Sequence, residues 1–123
     1  AIKRETFIKL NGYDGKKLPT NEDMYIAYKL IMNDYKIKYC ADSEVVHSHN
    51  FTLKQQYKRY YDTGVFFKEN DYLNKYKVNA AGGSLAKYIL KRVWQDKNWK
   101  VLVQFVPNMA ARFIGMKMGK ISK

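Results

Sequence analysis

The chain holds a single cysteine, Cys40, and only two prolines among its 123 residues. One cysteine excludes an internal disulfide and fits a reducing compartment. No run of about 18 uncharged apolar residues occurs, which excludes a bilayer-spanning helix from this sequence. Internal repeats and low-complexity tracts are also missing. Acids are scarce in the second half: residues 52–123 carry 15 Lys and Arg against 4 Asp and Glu, while residues 1–51 carry 8 against 7. Nearly all of the net charge of +12 therefore lies after residue 51. Such asymmetry fits an anionic partner, whether nucleic acid, anionic lipid or a phosphorylated substrate, or simply a solvated basic face.

What is present is enough for a core, since 46% of the residues are hydrophobic and the length suits one domain. The chain opens directly into Ala1-Ile2-Lys3-Arg4-Glu5-Thr6-Phe7, which reads as the interior of a longer protein. Phe7, Ile8 and Leu10 predict a short helix that Asn11-Gly12 ends. Thr20 or Asn21 then caps a helix with Met24, Ala27, Tyr28 and Ile31 on its buried face. Alternation in Lys36-Ile37-Lys38-Tyr39-Cys40 and in Glu44-Val45-Val46-His47 predicts two short strands. From Thr52 the pattern is helical, broken at Asn70-Asp71, with a flexible joint at Ala80-Ala81-Gly82-Gly83. Ser84 is the expected cap of the next helix, and Trp99 starts a last one that Pro107 is expected to interrupt.

Three groups of residues could carry chemistry. Glu22 and Asp23 stand in a first helical turn, where acids complement the helix dipole by about 0.3–1 kcal/mol; a carboxylate there, facing a cleft, can also act as a general base. His47 and His49 lie two apart on extended chain and so point to one side. With one Cys they form an incomplete zinc set. Gln56-Tyr57-Lys58-Arg59-Tyr60 brings an amide, a planar cation and aromatics together. Read alone, it is an amphipathic helix with tyrosines toward the core.

The order of these landmarks is more telling than any one of them. Asn11-Gly12-Tyr13-Asp14, then Glu22-Asp23-Met24, then Tyr35-Lys36-Ile37, then His47 and His49, then Gln56-x-x-Arg59-Tyr60 resembles the acceptor-side half of a bacterial family 2 glycosyltransferase of the GT-A fold, rhamnosyltransferase-like. Asn11 stands where the family usually has the first of two glycines, and Tyr60 stands in the Trp place of "Q-x-x-R-W". The end, Arg112-Phe113-Ile114-Gly115-Met116-Lys117-Met118-Gly119, is similar to the "R-x-x-G-x-x-x-G" tail of bacterial members.

The resemblance implies an α/β class: the acceptor-side half of a Rossmann-like nucleotide-diphospho-sugar transferase domain over residues 1–79, followed by a basic amphipathic helical tail over residues 80–123, the piece being helix-rich by itself. It implies inverting transfer of a sugar from a nucleotide-diphospho-sugar donor to a hydroxyl of a saccharide or lipid-linked acceptor in surface polysaccharide synthesis. Asp23 would be the base and Glu22 its neighbour orienting the acceptor or the helix start. Gln56, Arg59 and Tyr60 would bind substrate. A divalent metal, Mg or Mn, would be held mainly by residues outside this chain, with His47 and then His49 completing its coordination. The chain has no Asp-x-Asp and no glycine-rich strand-to-helix turn, so by itself it is expected to be inactive. The expected location is cytoplasmic, with the basic tail on the anionic inner face of the cell membrane; dimerisation through exposed apolar surface is a further expectation, and nucleic acid is not an expected partner. The competing readings are a basic nucleic-acid-binding module and an oligomerisation module.

Overall fold

The computed structural model describes residues 1–47, 49–76 and 79–122. The chain forms two compact units, Ala1–Asn50 and Phe51–Lys123. The first holds helices α1 (Arg4–Lys9) and α2 (Glu22–Met32). The second holds α3 (Leu53–Glu69), a 3-10 turn (Asp71–Tyr76), α4 (Asn79–Gln95) and α5 (Trp99–Ile121).

In the first unit, α1 stops where Asn11 and Gly12 both take left-handed backbone angles, φ 58° and 49°. A Cβ on Gly12 would meet the Phe7 ring at 2.9 Å, so glycine is required there for both conformation and space. In α2 the buried residue is Tyr25, at 4% exposure, and not the Met24, Ala27, Tyr28 and Ile31 face that the spacing predicts; Ile31 is 53% exposed. The reason is tertiary: the Tyr25 hydroxyl donates to Asp14 Oδ2 at 2.7 Å and so draws its ring inward.

The two predicted strands do not form, and among the described residues no strand is present. A strand exists through ladder hydrogen bonds to a neighbour, and residues 36–40 and 44–47 have no such neighbour here. Tyr39, Val45 and Val46 remain exposed. The chain is helix-rich, as the sequence leads one to expect.

In the second unit, α3 starts with a capping box: Gln55 N–H donates to Thr52 Oγ1 at 3.3 Å, and Thr52 N–H donates back to Gln55 Oε1 at 2.9 Å. It ends at Asn70, which is fully buried. The Asn70 Nδ2 donates to Phe66 O at 2.9 Å, and its Oδ1 accepts from the Tyr72 hydroxyl at 3.2 Å. Phe66, Phe67 and Leu73 pack around this corner, each 5% exposed or less, and each contributes about 1.5–3 kcal/mol by burial.

The contact that organises the unit is α3 against α5. A Cβ on Gly115 would sit 2.5 Å from Tyr57 O and 3.1 Å from Tyr61 N. One on Gly119 would strike Tyr61 O and come within 2.9 Å of Val65 N; one on Gly64 would strike Met116 O. Residue numbers rise together along both helices, so α3 and α5 run parallel, backbone on backbone, with Gly115-x-x-x-Gly119 as the seam. Parallel neighbours need a long crossover, and the 3-10 turn with α4 supplies it.

Two further expectations are corrected. Residues 82 and 83 lie within α4, which begins at Asn79, ahead of Ser84. Pro107 lies inside α5 without ending it. Its missing N–H costs one helical bond, and the α3 contact further along holds the helix on its course. Among the described residues no helix is long and apolar enough to cross a membrane.

Gly115→Ala and Gly119→Ala are each expected to destabilise the chain by about 1–3 kcal/mol through overpacking. Gly82→Ala, where the added methyl meets nothing within 4 Å, is expected to stabilise by up to about 1 kcal/mol. Urea denaturation midpoints of the three variants check both signs.

Candidate active site

The carboxylates Glu22 and Asp23 open α2 and are exposed. Asn21 precedes them with φ 60° and makes no side-chain cap hydrogen bond; its Nδ2 is buried without an acceptor among the described residues. Asp23 Oδ1 accepts from Met24 N–H at 2.7 Å. The helix start thus presents two carboxylates at the positive end of the α2 dipole.

Their placement depends on a polar lock that the sequence did not single out. Lys29, two turns along α2, sends its ammonium back to the turn after α1. There it donates to Leu10 O at 2.5 Å, to Gly12 O at 2.9 Å, and to Asp14 Oδ1 and Oδ2 at 2.8 and 2.7 Å. Asp14 also accepts from the Tyr25 hydroxyl at 2.7 Å and from Asn11 Nδ2 at 3.2 Å. Hydrogen bonds from Lys29 and then Tyr25 hold the Asp14 carboxyl below the usual carboxylate range, against a smaller opposing effect of desolvation. The only sequence signal for this lock was Asp14 in its turn.

His47 and His49 stand edge to face, ring centroids 4.2 Å apart. Among the described residues no group of three or more His, Cys, Asp or Glu is assembled that could hold a metal ion. Two imidazoles do not make a metal site by themselves.

In the second unit, Gln56, Arg59 and Tyr60 all lie on α3, with different surroundings. Gln56 is 5% exposed. With its amide oxygen turned toward α5, it accepts from Arg112 Nε and Nη2, both at 2.5 Å. The same guanidinium stands over the Tyr60 ring, 5.4 Å from its centroid. Arg59 is exposed, 5.5 Å from the Phe51 ring. Arg112 is the residue that sequence reasoning passed over, although it heads the Arg112-x-x-Gly115-x-x-x-Gly119 tail.

A groove of about 680 Å3 runs beside this contact, with apolar walls that include Leu85, Ile89, Phe105 and Phe113. Tyr60 and Arg112 line it as well, together with Lys117 and Lys120. No acid lines it. In α4 and the turn after it, Asp96 is already paired with Arg92 at 3.3 Å.

The first unit thus presents exposed carboxylates at a pinned helix start and a His pair, and the second a cation-aromatic segment on α3. Over 122 residues the chain is 34% identical to the O-antigen chain rhamnosyltransferase WbaN of Salmonella anatum. It is 33% identical over the same length to the O-antigen chain rhamnosyltransferase RfbN of Salmonella typhimurium. Each match covers 98% of this chain and 38% of the relative, so the chain spans well under half the length of these curated proteins. The resemblance to rhamnosyltransferase-like glycosyltransferases seen in the sequence is thereby borne out. No family model matches the chain, and no solved structure does.

Because Asp14 binds its proton less readily when folded, its contribution is fully present above the unfolded carboxylate value. It is lost as the pH falls through the lower folded value. Asp14→Asn is therefore expected to lower the denaturation midpoint at neutral pH, and the gap to the wild type should narrow below about pH 4. Midpoints measured along an acid series check this; a gap constant with pH would contradict the lock.

Proposed function

We propose that this chain is the acceptor-side part of a GT-A-fold glycosyltransferase that moves a sugar, rhamnose in the first instance, from a nucleotide-diphospho-sugar to a hydroxyl of a growing surface polysaccharide. The observation that carries the reading is the exposed Glu22-Asp23 pair at the start of α2, the helix that Lys29 ties to the turn after α1, in a chain similar along nearly its whole length to two O-antigen chain rhamnosyltransferases. Asp23 acts as general base: its carboxylate takes the proton from the attacking acceptor hydroxyl as the sugar passes in a single displacement. Glu22 orients the acceptor or the helix start. Arg59 offers a planar fork to the donor diphosphate, and Tyr60 a face for a sugar ring. Gln56, buried beneath them, belongs to the binding segment as its anchor.

A divalent metal, Mg or Mn, would neutralise the departing diphosphate. His47 and His49 contribute at most two donors to it, the rest coming from outside this chain. For the same reason the chain by itself transfers no sugar.

The basic second half supports placement on the inner face of the cell membrane, with the acceptor carried on a lipid. Trp94, Trp99, Val103, Val106 and Phe113 are exposed beside Lys and Arg along α4 and α5, a distribution that suits a membrane surface.

Two outcomes are expected. In the longer protein, Asp23→Asn should lower turnover by at least about 100-fold while nucleotide-sugar binding by calorimetry stays near that of the wild type; full turnover would remove Asp23 from its role. The second half should float with vesicles containing phosphatidylglycerol and remain behind with phosphatidylcholine alone. Equal behaviour with both would remove the anionic membrane surface from the account.

A further inference from the structure

Arg112 makes two contacts with the α3 segment and supplies each with something α3 lacks. Gln56 is buried, and an unsatisfied amide oxygen at that depth would cost about 1–3 kcal/mol; Arg112 Nε and Nη2 satisfy it as a two-pronged donor. Tyr60, one turn further along α3, carries the same guanidinium over its ring. A planar cation held at one edge by an amide is fixed in orientation, and a ring in cation-π contact with it is restrained in turn. Behind the pair, Gly115 lets α5 come close enough to Tyr57 and Tyr61 for the fork to reach Gln56.

Tyr60 and Arg112 also line the apolar groove. The ring that Arg112 restrains is therefore accessible to a ligand on the groove side, and is not sealed between helices. Arg112 retains guanidinium donors beyond the two that Gln56 uses.

We infer that Arg112 is a positioning residue for acceptor binding: it bonds Gln56 and stands over the Tyr60 ring, and so restrains the angle at which that ring meets the acceptor sugar. The inference rests on the transferase reading above and adds to it a residue some fifty positions away from the segment it serves. The Arg112-x-x-Gly115-x-x-x-Gly119 tail then has one physical purpose, the glycines bringing α5 onto α3 and the arginine restraining the Tyr60 ring.

Steady-state kinetics of the longer protein, with donor and acceptor varied separately, test it. Arg112→Lys keeps the charge but loses the fork, and Gln56→Met removes the acceptor oxygen. Each is expected to raise the acceptor KM about tenfold while the donor KM stays within about twofold of the wild type. The double variant should be no worse than the poorer single one, because both remove the same contact. Gln56→Glu, whose carboxylate also suits the arginine fork, should recover most of what Gln56→Met loses. Gly115→Ala serves as the structural comparison: it loosens the helix pair, so both KM values and the folded fraction should move together.

Acceptor KM values within about twofold of the wild type in Arg112→Lys and Gln56→Met, independent effects in the double variant, or losses that follow the folded fraction alone would each overturn the positioning role. With a wild type that transfers sugar, those results remove only this inference. A wild type that transfers none removes the transferase reading and this inference with it.

Discussion

The second unit depends on one contact, the meeting of α3 and α5 at Gly64, Gly115 and Gly119. Each of these glycines lies where a methyl group would overlap a backbone carbonyl of the other helix. Close approach increases the dispersion contact between two helices and admits weak Cα–H to carbonyl bonds. It also determines what comes after. The parallel sense requires a crossover through the 3-10 turn and α4, the Asn70 corner turns the chain into it, and Arg112 is brought to Gln56. Lys68 Nζ donates to Ser122 O at the far end of the same pair, so the seam is closed by polar contacts at both ends.

The first unit uses a different device for a similar purpose. Its apolar burial is modest, with Tyr25 the buried hydrophobic residue among those described, and orientation comes from the Lys29 ammonium gathering two carbonyls and a carboxylate. A point charge with three donors suits a turn whose carbonyls converge from several directions. In both units a long cationic side chain on one helix fixes a short segment elsewhere: Lys29 the turn that precedes Glu22 and Asp23, Arg112 the segment around Tyr60. Glu22, Asp23 and Arg59 are left exposed and Tyr60 half-buried, while Lys29 and Arg112 make the supporting contacts.

Much of this was legible in the sequence where local chemistry decides the outcome. Asn11-Gly12 stops α1 because both residues tolerate the left-handed backbone, and Asn70-Asp71 ends α3. Where a partner decides, the sequence misled. The alternation at residues 36–40 and 44–47 reads as strand, yet a strand without a neighbour has no ladder. The helical spacing of Met24, Ala27, Tyr28 and Ile31 marks a face, but Asp14, eleven residues from Tyr25, selects Tyr25 for burial. Pro107 reads as a break, whereas α5 runs through it and is held by α3 further along. The glycine tail could be seen as a pattern; that its glycines touch α3 carbonyls and its arginine reaches Gln56 depends on contacts some fifty residues apart, which spacing along one helix does not encode. The candidate carboxylates and histidines were singled out by their order along the chain; the Lys29 contact to the turn after α1 was not, because Lys29 looks like any other helical lysine.

The central claim is that a carboxylate at the start of α2 activates an acceptor hydroxyl for direct displacement. The most direct test is the anomeric configuration of the product, read by proton NMR immediately after transfer from a nucleotide-diphospho-sugar by the longer protein. Single displacement with Asp23 as base predicts a product anomer inverted relative to the donor, formed with no covalent sugar on the protein. A retained configuration would contradict the role given to Asp23 and with it the mechanism proposed for this chain.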